Sequence, residues 1–285
     1  MDAQRDPDNS PALSVILPAS NEAALIGRCL SALLGSVWTH PRPPEVIVIA
    51  NGCRDDTAAR ARALIPGFAA RGWPLRVIDR AEGGKLAALD AGDAVARGGV
   101  RVYLDADVTV DPALLTQLCD ALSGPAPRYA SGRLHITAKG AVSRAYARLW
   151  RRVPFMAQGV PGCGVFAVSA AGRARWGGFP DIISDDTFVR LCFAPQERVA
   201  VSAPYDWPIA EGFGALVRVR RRQDAGVAEI ARRFPDLLRN EDKLPLSRRG
   251  LLALALRDPA GFAVYAGVAL MVRLRPPAQD WSRSR

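Results

Sequence analysis

The 285-residue chain has few cysteines, and none is placed for a metal cage or a disulfide framework. Cys29, Cys53, Cys119, Cys163 and Cys192 are odd in number and widely spaced, with no C-x-x-C pair. That argues against a zinc site and against a stapled secreted fold, and a reduced, cytosolic setting is the simpler expectation. The opening MDAQRDPDNSP holds no apolar run, so neither a signal peptide nor an N-terminal anchor is expected there. No G-x-G-x-x-G follows the first apolar run, and no G-x-x-x-x-G-K-[ST] occurs. These absences remove the dinucleotide fold and the P-loop. There is no internal repeat of 20–50 residues and no low-complexity stretch. The longest uncharged apolar run near the C-terminus, 259–272, has 14 residues, short of the roughly 20 that a spanning helix needs.

What is present is a large core and an uneven charge. The chain is 49% hydrophobic, and at this length it should hide roughly 75% of its unfolded surface. The formal net charge is +10, and residues 214–285 hold fifteen Lys and Arg against seven Asp and Glu. A surplus of eight positive charges therefore sits in the last quarter. It lies beside apolar stretches, which favours an anionic partner over a merely solvated face.

The first 125 residues alternate between apolar runs and helical spacing. LSVILP (13–18), EVIVIA (45–50), LRVID (75–79) and VRVYLDAD (100–107) read as buried strands. Helices are expected over 22–34, 55–64, 85–96 and from Pro112. Continuous apolar strands alternating with helices predict an α/β fold with a mostly parallel sheet flanked by helices. Ligands in such sheets bind at the carboxyl ends of the strands, where Asn51, Asp105 and Asp107 fall. The second half is less regular. Strands are expected over 129–136 and 197–204, helices over 143–152 and from Asp185, and GVPGCGVFAVS (159–169) is glycine-rich and then apolar.

Four groups of residues carry possible chemistry. Asp105-Ala106-Asp107 sets two carboxylates one residue apart at a strand end, where their repulsion is relieved by a cation. A hard divalent ion takes oxygen ligands and keeps waters and substrate phosphates as the remainder. The bland alternative is two solvated acids opening a turn. Gly83-Gly84-Lys85 precedes a helix, where backbone N–H groups approach a phosphate and lysine adds a charge; taken alone it is equally a plain turn. Ser184-Asp185-Asp186-Thr187 opens another helix. One acid can cap it while the other faces a cleft as a general base. Arg218-Val219-Arg220-Arg221-Arg222-Gln223 is either a solvated basic helix or a clamp on a leaving diphosphate.

In this order the pieces resemble the inverting glycosyltransferases of family 2, with the GT-A fold, over roughly residues 12–223. VILPASNEAALIGRCL is similar to the family's opening strand and P-x-x-N-E turn. ANGCRDDTAARA resembles N/D-G-S-x-D-x-T, and GGKLAALDAG resembles G-K-x-x-A-x-N-x-G. YLDADVTV resembles the D-x-D strand, and ISDDTFVRL the E-D-x-x-L helix start. The resemblance implies a donor pocket lined by Pro18, Ala19, Ser20, Glu22, Asn51, Lys85, Asp105, Ala106, Arg221 and Arg222. It implies Mg²⁺ or Mn²⁺ on Asp107 with Asp105 beside it, and Asp186 as the base with Asp185 as its neighbour. Asn51 stands where many members have Asp, and Asp185 where Glu is usual. Arg221-Arg222-Gln223 lacks the Trp of the processive Q-x-x-R-W motif, which favours transfer of a single sugar.

The expected partners are a UDP- or GDP-linked sugar, an acceptor hydroxyl that is lipid-linked or on a cell-envelope glycan, and an anionic membrane surface, with no nucleic acid. Three segments are expected: a tail over 1–11, the catalytic domain over 12–223 and a basic helical segment over 224–285. The last holds GLLALAL (250–256) and PAGFAVYAGVALMV (259–272), bracketed by Arg248, Arg249, Arg257, Arg273 and Arg275. It is either core or an in-plane element that keeps a cytoplasmic protein on the inner face of a membrane; a true span is the third and weaker alternative. Two rival functions remain. A nucleotidyltransferase would carry a glycine-rich, arginine-containing loop after the first strand, where ASNEAA stands here. A non-catalytic sugar-nucleotide or membrane adaptor would bind donor without turnover.

Overall fold

A computed structural model describes residues 10–243 and 246–274. Most of the expected leading tail lies outside the described residues, as does Arg275. The strands are Leu13–Ala19 (β1), Glu45–Asn51 (β2), Leu75–Arg80 (β3), Val100–Leu104 (β4), Thr109–Val110 (β5), Tyr129–Thr137 (β6), Val165–Val168 (β7) and Arg198–Pro208 (β8). They form one sheet in the order β3-β2-β1-β4-β7-β6-β8-β5. The helices of the first half are Ile26–Leu34 (α1), Thr57–Arg62 (α2), Ile65–Ala70 (α3), Lys85–Val95 (α4) and Leu114–Leu122 (α5). Those of the second half are Ala141–Trp150 (α6), Pro154–Gln158 (α7), Ala170–Arg173 (α8), Asp185–Leu191 (α9), Phe213–Arg233 (α10), Arg248–Arg257 (α11) and Pro259–Leu274 (α12).

The β3-β2-β1-β4 half is parallel, as the unbroken apolar runs predict. Every residue of β1 and β2 is buried, because helices cover both faces of such a sheet. Pro18 is tolerated in central β1 because pairing with β4 ends at Ile16, before the residue that has no N–H to offer. Beyond β4 the sheet becomes mixed: β7 runs antiparallel to β4, with Arg101 opposite Val168 and Leu104 opposite Val165. The expected strand over 100–107 stops at Leu104. Asp105 then turns away, donating its N–H to the Gly164 carbonyl at 2.8 Å, and Val108 N–H closes on the Asp105 carbonyl.

Two compact units divide the chain. One comprises the residues up to Arg133, Gly162–Asp181 and Gln196–Tyr205; the other comprises Leu134–Pro161, Ile182–Pro195 and the chain from Asp206 on. The first holds the parallel half of the sheet. The second has its own core of Ile136, Tyr146, Ala147, Ile209, Leu216, Val217 and Val268, which joins α6, α10 and α12. Each of its fully buried aliphatic side chains contributes about 1.5–3 kcal/mol. The 259–272 run is therefore a core-seated helix on one face: Val264, Tyr265, Met271 and Val272 pack on the same cluster. Among the described residues, no helix is long and apolar enough to cross a membrane.

Candidate active site

In the first unit the loops after β1 and β2 are laced together. Asn21, at φ 55°, accepts the Arg54 N–H at 2.8 Å. Glu22 N–H donates to Thr57 Oγ1 at 2.8 Å and Ala23 N–H to Asp55 Oδ2 at 3.1 Å. Asp55 also accepts from the Thr57 backbone and hydroxyl. Slight desolvation opposes ionisation of this exposed carboxyl, but the bonds from Thr57 and Ala23 prevail and hold it below the usual carboxylate range. Asp55 and Thr57 are the D-x-T of the second motif. Sequence reasoning gave them no role; the structure shows them fastening the β1 loop.

Asn51 ends β2 and is 2% exposed. Its amide donates to the carbonyls of Ala19 (3.0 Å) and Ile49 (3.2 Å), while its oxygen accepts the Gly84 N–H at 3.0 Å. One side chain thus ties the end of β1 to the turn before α4. The loops touch as closely as glycine permits. Gly52 has φ +56°, and a Cβ there would meet Gly83 backbone at 2.8 Å. Gly84, at φ +144°, is the last residue before α4, so Lys85 starts the helix. Lys85 Nζ reaches Asp105 Oδ1 at 3.0 Å. The Cys29 thiol beneath is pushed far above its ordinary value, first by burial and then by the charges of Asp107 and Asp105, with Glu22 adding a smaller part. The carboxylates of Glu22, Asp105 and Asp107 therefore act on one point. Ser20 Oγ is buried and makes no hydrogen bond among the described residues, an orphan polar atom that invites a ligand.

The other end of α4 is anchored too. Asp93 accepts from Tyr103 Oη at 2.8 Å and Arg173 Nε at 2.8 Å, and Asp90 accepts the Phe179 N–H at 2.9 Å. Burial raises the Asp93 carboxyl despite the opposing arginine charge. Of the glycines of 159–164, noted in the sequence but given no role, Gly164 serves the acidic turn by supplying the carbonyl that receives the Asp105 N–H.

Pro18, Ala19, Ser20, Glu22, Asn51, Lys85, Asp105, Ala106 and Asp107 all belong to this first unit. Asp185, Asp186, Arg221 and Arg222 belong to the second. There, Asp185 is 5% exposed, whereas Asp186 is half-buried and accepts the Thr187 N–H at 2.6 Å. On α10, Arg220 bonds Asp224 at 2.8 Å and Tyr265 Oη at 3.3 Å, so this arginine fastens α12 to α10. Arg221 and Arg222 are partly exposed on the same helix.

Comparison with known proteins identifies the family and the fold. The family model described as "Glycosyl transferase family 2" matches residues 14–169, more than half of the chain. A dodecaprenyl-phosphate galacturonate synthase of Rhizobium johnstonii is 30% identical over 38% of this chain and 31% of its own length. The glycosyltransferase AglE of Haloferax volcanii is 30% identical over 45% of this chain and 40% of its own. The chain thus spans well under half the length of these curated relatives. Among solved structures, a mannosyltransferase of Pyrobaculum calidifontis in complex with GDP-Man and Mn²⁺ superposes with a TM-score of 0.57 at 22% identity, covering 95% of this chain and 78% of that one. Glucosyl-3-phosphoglycerate synthase of Mycobacterium tuberculosis, in complex with Mn²⁺ and UDP, gives 0.53 at 22% identity over 78% and 80%. These two share the fold. By its family match, its order of motifs and its sheet, the chain belongs to glycosyl transferase family 2 and has the GT-A fold.

Proposed function

We propose that the chain transfers one sugar from a nucleoside diphosphate sugar to an acceptor hydroxyl, with inversion and with a divalent ion. The observation that carries this reading is the acidic turn at the end of β4. Asp105 is held by Lys85 at 3.0 Å, Asp107 follows two residues on, and the Asn51-tied glycine loops stand beside them. The donor set fits a hard ion. Among the described residues no three His, Cys, Asp or Glu side chains form a ready-made cage, so an ion on Asp107 would take its other ligands from water and a diphosphate. When bound, Mg²⁺ or Mn²⁺ would neutralise charge on the departing diphosphate.

The protein's own groups supply the rest. Ser20 Oγ and the loop backbone meet the nucleoside, and Lys85 holds Asp105 in place toward it. Arg221 and Arg222 stabilise charge on the leaving group. Asp186 receives the acceptor proton as the acceptor oxygen attacks the anomeric carbon from the face opposite the diphosphate. Of the two adjacent acids, Asp186 is favoured as the base because Asp185 is nearly closed to solvent. The absence of the Trp from Q-x-x-R-W supports single addition. Catalysis belongs to residues 12–223, and the segment from 224 carries α11 and α12.

The acceptor is proposed to be lipid-linked, a reading supported by the dodecaprenyl-phosphate in the name of one relative. The protein would then work on the inner face of a membrane from the cytoplasm, using the basic C-terminal helices. The test is a panel of UDP- and GDP-sugars assayed for Mn²⁺-dependent release of nucleoside diphosphate. We expect one donor to turn over, EDTA to stop it and Asp107→Ala to abolish it, with Asp105→Ala weakening donor binding. Full turnover in excess EDTA would sink the assignment of Asp107. Asp186→Asn should keep donor affinity while kcat falls by about 10²–10⁴, the worth of a positioned base. A dead Asp185→Asn beside an active Asp186→Asn would move the base by one residue.

A further inference from the structure

The residues leading into α9 rest on α10 at two consecutive positions. Ile183 donates its backbone N–H to Glu229 Oε2 at 2.9 Å. Ser184, the residue before the helix, lies against Gly226, where an added Cβ would fall 2.1 Å from Ser184 Oγ, 3.0 Å from Ser184 Cβ and 3.2 Å from Ile183 Cβ. Gly226 is buried, and its φ lies outside the left-handed region. A glycine in the middle of a helix costs about 0.5–1 kcal/mol relative to alanine. Its backbone conformation does not call for glycine; the close approach of Ser184 does. Ser184 has no side-chain cap bond to its own helix, and the contact with α10 supports this N-terminus through Ile183 and Ser184. Glu229 is 17% exposed and is itself steadied by Arg233 at 3.0 Å, one turn on.

Helical spacing gives this seat its meaning. Arg222, Gly226 and Glu229 follow at i, i+4 and i+7, which places them along one stripe of α10. The arginine proposed to meet the leaving diphosphate and the two residues seating the Asp185-Asp186 helix are therefore borne on one continuous helix. A shift of about 1 Å in a reacting group can cost 10²-fold in rate, so the position of α9 on α10 matters as much as its identity.

We propose that Gly226 and Glu229 are positioning residues that set the place of Asp186 by seating Ile183 and Ser184 on α10. This rests on the reading of Asp186 as the base. Three substitutions separate it from general stabilisation. Glu229→Ala removes the acceptor of the Ile183 N–H. Glu229→Gln keeps an oxygen acceptor and loses the charge, and Arg233→Ala removes the neighbouring ion pair together with the guanidinium over the Phe234 ring. With the donor found by the panel, we expect Glu229→Ala to lower kcat by about 10- to 100-fold, with donor KM changed by less than about threefold. Glu229→Gln and Arg233→Ala should stay within about threefold of wild type. Gly226→Ala should behave like Glu229→Ala if it folds.

Hydrogen exchange gives a readout apart from activity. The peptide containing Ile183 should lose protection in Glu229→Ala and keep it in Glu229→Gln. A double variant closes the argument, because Glu229→Ala should cost little more once Asp186→Asn is present. Wild-type kcat in Glu229→Ala, equal impairment of the Gln and Ala forms, or full additivity with Asp186→Asn would each overturn the proposal. If Asp186→Asn is fully active while Glu229→Ala is slow and Gln rescues it, the seat stands for Asp185 and the reading of Asp186 fails instead.

Discussion

Asn51 is engaged with backbone on both sides: two carbonyls take its amide hydrogens and Gly84 N–H fills its oxygen. The sequence places this residue at a strand end, and the family resemblance assigns it to the nucleotide pocket. Nothing in the sequence shows which atoms it meets, because the partners are main-chain groups 2, 32 and 33 residues away. An aspartate here would lose both donors and turn a carboxylate toward two carbonyl oxygens. We expect Asn51→Asp to destabilise the protein by about 2–4 kcal/mol, the cost of unpaired buried polar groups, read as a lower denaturation midpoint. An unchanged midpoint would show that the amide is not held as described. Asp105 and Asp107 were legible for the opposite reason. Their signal is local, two acids one residue apart after an apolar run, and the structure sets them on a turn in place of the end of a strand, with their roles a matter for the proposed experiments.

Helices and strands became legible where burial imposes a simple period. The central strands β1 and β2 came out within a residue or two because both faces are covered and the whole run must be apolar. Helix α1 starts at Ile26, not Glu22, because residues 22–25 are laced to Asp55 and Thr57 as a turn. Helix α10 was visible only as a basic patch over 218–223, although it runs 21 residues. Its buried side is sparse, Leu216, Val217, Gly226 and Ile230, so its pattern reads as a solvated face. Helix α12 starts at Pro259, where the apolar run over 259–272 begins, but the role of Asp258 before it could not be read from that pattern. Asp258 Oδ1 accepts the Gly261 N–H at 2.9 Å as a cap, and its Oδ2 meets Arg148 of α6 and Arg152, just beyond that helix, each at 3.3 Å. The Gly261 N–H and then the Arg148 guanidinium hold the Asp258 carboxyl below its ordinary value. A carboxyl with a depressed folded-state pKa contributes stability above its unfolded pKa and loses it as pH falls through the folded one. Asp258→Ala should therefore cost about 0.5–2 kcal/mol near neutral pH, as cap substitutions do. That difference in Tm should shrink as pH is taken below about 4, the unfolded aspartate value. A gap in Tm that is constant from pH 7 to pH 3 would contradict the role of the charge.

For the molecule as a whole, the basic last quarter poses one question: which part of it is available to a lipid surface. The structure divides the two apolar runs that the sequence left together. Helix α12 turns Val268 and Tyr265 into the core of its unit, so cutting the chain before it would remove core and test folding in place of attachment. Helix α11 is different. Only Leu254 of its ten residues is buried, and Leu252 and Leu256, one turn apart, are 61% and 74% exposed. Arg248 and Arg249 precede them and Arg257 follows. Exposed leucines between arginines suit an element lying in the headgroup plane. Each basic residue near an anionic surface adds about 1 kcal/mol, screened by salt, while apolar insertion is insensitive to salt. Two substitutions separate the parts, and both lie on exposed positions where folding should be little disturbed. In flotation with vesicles containing phosphatidylserine, Arg248→Gln with Arg249→Gln should weaken binding by about 2 kcal/mol, near 30-fold, at low salt, with a smaller loss at high salt. Leu252→Asp with Leu256→Asp should abolish it at every salt concentration. Wild-type protein that stays in the aqueous phase at low salt, or that floats equally well after the leucine changes, would leave α11 as an ordinary exposed helix and remove the membrane from the reading of this enzyme.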